Sequence, residues 1–65
     1  MYPNLKAELA RKRMTMQDLA EKTGIRLQTL YTKASGKTDF SFHEAIKVKE
    51  ALGVDMSLEE LFATD

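Results

Sequence analysis

The chain has 65 residues, 43% of them hydrophobic, with no cysteine and only one proline. Ten Lys/Arg balance ten Asp/Glu, but residues 1–37 hold eight cations and three acids while residues 38–65 hold two and seven, so a +5 half precedes a −5 half. This length allows one domain with a thin core, a missing thiol excludes disulfide or thiolate–metal reinforcement, and no apolar run is long enough to cross a bilayer.

The first helix is expected from Pro3 or Asn4 to Arg13. Proline is tolerated in a first turn, and Asn4 is a candidate cap. Leu5 and Leu9 share a face, with Met14 close behind. Arg11, Lys12 and Arg13 close the helix. There they either complement the helix dipole or contact a polyanion.

The second helix opens at Thr15, which has capping-box spacing to Asp18. Leu19 and Ala20 point inward. Gly24 follows the last turn, where a left-handed backbone suits glycine. Gly24-Ile25-Arg26 form the turn, with Ile25 plugging the gap between helices. A third helix follows from Leu27 to Ser35. Ala20 is small enough to let this helix approach, and Leu30 faces back toward it. Gln28, Thr29 and Thr32 point outward, as does Ser35. Arg26 stands at the cap position with a poor side chain for capping, so a bond worth about 1 kcal/mol is missing. Lys33 covers the core edge with its stem while its head reaches water or a phosphate. Tyr31 either packs on a sugar–phosphate backbone or lies half-buried over the fourth helix. Gly36 occupies the left-handed stop position.

Residues 38–40 form a loop with Phe40 tucked inward. A second capping box, Ser41 to Glu44, starts the fourth helix. Phe42, Ala45, Val48 or Lys49, and Leu52 recur at helical spacing, Ile46 falls beside the stripe, and Gly53 stops the helix. Val54 enters the core. Ser57 to Glu60 is a third capping box, and it starts a short fifth helix through about Ala63. Leu58, Leu61 and Phe62 either close the monomer core or form a dimer seam.

The stretch 16–36 resembles the helix-turn-helix of the phage-repressor (Cro and cI-like, lambda-repressor-like) DNA-binding family. Ala20, Gly24, Ile25 and Leu30 sit where that family wants Ala, Gly and two aliphatics, and TLYTKASGK resembles its phage-derived variants. Lys33 departs from the family's usual aliphatic residue, and Arg26 from its usual Ser or Thr. The resemblance continues through FSFHEAIKVKEALGV. It implies an all-α fold of five short helices over residues 1–65. It also implies a sequence-specific transcriptional regulator of prophage Cro or repressor type, acting by promoter occlusion. Gln28, Thr29 and Thr32 then read bases; Gln17, Arg26, Tyr31, Lys33 and Lys37 contact the DNA backbone. The partner is double-stranded DNA, and Leu58, Leu61 and Phe62 are the candidate contacts of a homodimer. The basic half carries the helix-turn-helix, as an interface with phosphate requires.

No catalytic or cofactor constellation is present. The single histidine, His43, falls at an exposed helix start, and no phosphate-cradling glycine loop or metal-ligand cluster occurs. The four methionines read as gap fillers in a small core. The reading is therefore a non-enzymatic cytoplasmic protein with no cofactor, no membrane contact and no small-molecule substrate. A second class stays open. The zero net charge, uncapped third helix and acidic, apolar tail also suit a protein-interaction module that docks a regulator through its fifth helix.

Overall fold

The computed structural model describes residues 2–64. Five helices follow one another: α1 (Pro3–Arg11), α2 (Met16–Thr23), α3 (Leu27–Ala34), α4 (Phe42–Leu52) and α5 (Leu58–Leu61). Among the described residues there is no strand. α2 packs on α3 and α4, and α5 closes the bundle against α1 and α4.

Local chemistry sets the helix starts. Thr15 Oγ1 accepts the Asp18 N–H at 3.1 Å, and the Asp18 carboxylate accepts the Thr15 N–H at 3.0 Å. Ser41 with Glu44 and Ser57 with Glu60 form the same reciprocal pair. Asn4 does not cap α1. The cap position is Tyr2, without a side-chain bond. Asn4 instead sits inside the helix and donates to the Glu60 carbonyl at 2.7 Å, tying α1 to α5.

Two helix ends share one geometry. Behind α1 the Met14 N–H reaches the Leu9 carbonyl and the Arg13 N–H reaches Ala10. Behind α3 the Lys37 N–H reaches Thr32 and the Gly36 N–H reaches Lys33. Both are Schellman closures, which need a left-handed residue. Gly36 supplies it at φ 90°, whereas Arg13 adopts it at φ 55° despite its Cβ. α1 thus ends at Arg11, short of the expected Arg13.

Leu19, Leu30, Val48 and Leu61 are fully covered at the centre. Tyr2, Leu5, Ala20 and Leu52 complete the core. Leu61 therefore has no surface left for a second subunit, and the dimer-seam expectation fails for this residue. Phe62 packs edge-on against Tyr2 at 5.4 Å and at a tilt against Phe40 at 5.1 Å, with Leu58 half-buried beside them. A helix of four residues can bury this much because the Phe40 loop and Tyr2 fold over it.

Phe42 is the clearest departure from periodicity. It is 68% exposed rather than part of the inward stripe. As the first residue of α4 it lies beyond the core edge, and the Phe40 ring from the preceding loop fills that edge.

Candidate nucleic-acid interface

α2 ends at Gly24, which takes φ 76° and sends its N–H back to Ala20. A Cβ built at Gly24 would meet nothing within 4 Å. Glycine is required there for backbone conformation, not for space. Thr23, which the sequence pattern did not single out, reinforces the corner. Its buried hydroxyl donates to the Leu19 carbonyl at 2.7 Å and accepts the Ile25 N–H at 3.2 Å. A threonine directly before the turn glycine was the available signal, since such hydroxyls bond back to the preceding turn.

Ala20 and Leu30 are both buried and Ile25 is half-buried, so α3 is anchored through one side only. Its other side is polar. Gln28 and Ser35 are exposed, and Thr29 and Thr32 are half-exposed. The Thr32 hydroxyl donates to the Gln28 carbonyl at 3.0 Å, which leaves its methyl group and oxygen lone pairs free to face outward. Arg26 precedes the helix in an extended conformation and makes no capping bond.

Around this edge lie further polar groups. Gln17 is the second residue of α2, exposed, with its amide 3.5 Å from Glu21. Lys37 is exposed directly after the α3 stop. Tyr31 is 55% exposed. Its ring borders an apolar groove of about 240 Å³ between α1 and α3, together with Leu5, Leu9 and Met16. That geometry removes the half-buried alternative for Tyr31.

Lys33 is held within the fold. Its ammonium is paired with the Glu44 carboxylate on α4, and both side chains are largely covered. The lysine head and the Ser41 N–H hold the Glu44 carboxyl below the usual carboxylate range. Asp18 is likewise held low by the Thr15 N–H and hydroxyl. The sequence pattern marked Glu44 only as a capping residue, so its second partner was missed.

The cluster behind α1 divides by residue. Arg11 pairs with Glu8 at 3.4 Å, and Glu8 is buried. Lys12 and Arg13 are exposed on the turn that leads to α2. Among the described residues no group of His, Asp and Glu is placed to hold a metal ion, and no helix is long and apolar enough to cross a membrane.

Two short helices joined by a three-residue turn, with Ala20 and Leu30 in one buried core and a polar outer edge, define a helix-turn-helix domain. A family model described as the Cro/C1-type HTH DNA-binding domain matches residues 4–65. The chain belongs to this family and is a DNA-binding regulator. Comparisons with curated proteins and with solved structures give no match.

Proposed function

We propose that this protein is a sequence-specific transcriptional regulator of the prophage Cro or repressor type, acting in the cytoplasm by occluding a promoter. The observation that carries the reading is the polar edge of α3, anchored from behind by Leu30 and open at Gln28. In this reading α3 enters the major groove. Gln28 offers a paired donor and acceptor to adenine, and Thr29 and Thr32 offer methyl and hydroxyl contacts to neighbouring bases.

Gln17, at the first turn of α2, places its amide and the adjacent backbone N–H groups against one phosphate. Arg26, Tyr31 and Lys37 hold the strand on either side of α3. Lys33 reaches a phosphate only by leaving Glu44, so it contributes less than Lys37. One such module buries too little surface for tight binding. Two copies on a two-fold operator, with half-sites about one helical turn apart, supply the rest.

Fluorescence anisotropy with a random duplex, at low and at moderate salt, tests the reading. Measurable affinity that falls steeply with salt is expected, because phosphate contacts release counterions. No binding at low salt would overturn it and favour the protein-interaction module.

A further inference from the structure

A shallow groove of about 440 Å³ lies between the start of α4 and α5. Its floor is the packed ring set of Tyr2, Phe40 and Phe62, whose centroids lie 5.1–5.6 Å apart. Phe42 from α4 and Leu58 from α5 line it as well. Phe42 is 68% exposed, and the fold does not require it. The capping box of α4 uses only Ser41 and Glu44, so a polar residue at the next position would serve equally well. An aromatic ring left in water beside a contiguous apolar surface marks a contact site.

The charge around the groove selects the occupant. Among the described residues the only charged side chains lining it are Asp39 and Glu59, both exposed and both acidic. Phosphate is repelled there, so the groove stands outside the DNA face. A symmetric pairing of two copies through the same groove would bring Asp39 and Glu59 toward their own equivalents, which is unfavourable.

We propose that this groove docks a cationic amphipathic helix or strand of another protein. Its apolar residues rest on Phe42, Phe62 and Leu58, and its Lys or Arg side chains meet Asp39 and Glu59. The regulator would thereby carry a protein contact on a face separate from α3.

The test is an anisotropy titration of the full chain with a labelled amphipathic Lys/Leu peptide, and with the same peptide carrying Glu in place of Lys. The Lys peptide is expected to bind and the Glu peptide is not. Phe42→Ala should weaken binding at least about tenfold while leaving the thermal unfolding temperature unchanged, because an exposed anchor contributes to binding but not to the core. Asp39→Asn with Glu59→Gln should weaken binding and flatten its salt dependence. Equal binding of both peptides, binding indifferent to Phe42→Ala, or no binding of the Lys peptide would overturn the proposal. So would sedimentation showing a dimer of this chain that Phe42→Ala dissolves, since the occupant would then be a second copy.

Discussion

Lys33 on α3 and Glu44 on α4 form an ion pair, and the Glu44 oxygen that faces the lysine also accepts the Ser41 N–H at 2.8 Å. One carboxylate thus caps α4 and tethers α3 to it. Its folded pKa lies below the ordinary value of 4.5, and that of Asp18 lies below 3.8. A depressed folded pKa means the ionised form is favoured by folding. This contribution is complete above the ordinary values and is lost as pH falls through the depressed ones. Thermal melts from neutral to acidic pH should show unfolding temperature falling across the carboxylate range. Lys33→Met should reduce that dependence, at a cost of about 1–3 kcal/mol at neutral pH, because the pair is largely covered while Glu44 keeps its Ser41 partner.

Arg13 and Gly36 occupy equivalent places in two Schellman closures, at φ 55° and 90°. A left-handed backbone costs a residue with a Cβ about 1–2 kcal/mol. The extra freedom of glycine in the unfolded chain returns about 0.5–1 kcal/mol of that. Arg13→Gly should therefore stabilise the fold by about 0.5–1 kcal/mol in urea unfolding. Gly36→Ala should destabilise it by a similar amount. Destabilisation by Arg13→Gly as well would show that Arg13 does not hold a left-handed backbone in solution.

Leu61 is fully buried within one subunit. Leu61→Ala should cost about 2–5 kcal/mol. That is a large part of the total stability expected for so short a chain. The loss should be the same at low and high protein concentration. A wild-type unfolding temperature that rises with concentration, with the increase lost in Leu61→Ala, would place Leu61 in a subunit seam instead.

The legible parts of this sequence are those fixed by neighbours along the chain. All three capping boxes join residues three positions apart, and every helix start except that of α3 follows from one of them or from Pro3. The inward set Leu19, Ala20 and Leu30 and the exposure of Gln28 follow from the helical period. What was not legible depends on distant partners. Asn4 finds the Glu60 carbonyl 56 positions away, which no local rule anticipates. Lys33 finds Glu44 across a loop. Phe42 obeys the α4 period yet faces water, because Phe40 takes the place that the period assigned to it. Leu61 is buried on a four-residue helix because Tyr2 and the Phe40 loop fold over the same end, which the local pattern does not contain.

Lys37 and Gln17 flank α3 without belonging to it, so their loss should act on every DNA sequence alike. Lys37→Ala should weaken binding to a selected site and to random duplex by the same factor, and should reduce the salt slope by about one. An effect confined to one sequence would instead make Lys37 a base reader.

The central claim is that the outward edge of α3 reads base identity, and selection of bound duplexes from a random pool tests it most directly. The wild-type chain should yield a shared motif, and Gln28→Ala should relax the preference at one position by about 1–3 kcal/mol while leaving the rest of the motif in place. A motif unchanged by Gln28→Ala, Thr29→Ala and Thr32→Ala, or no motif at all, would contradict it.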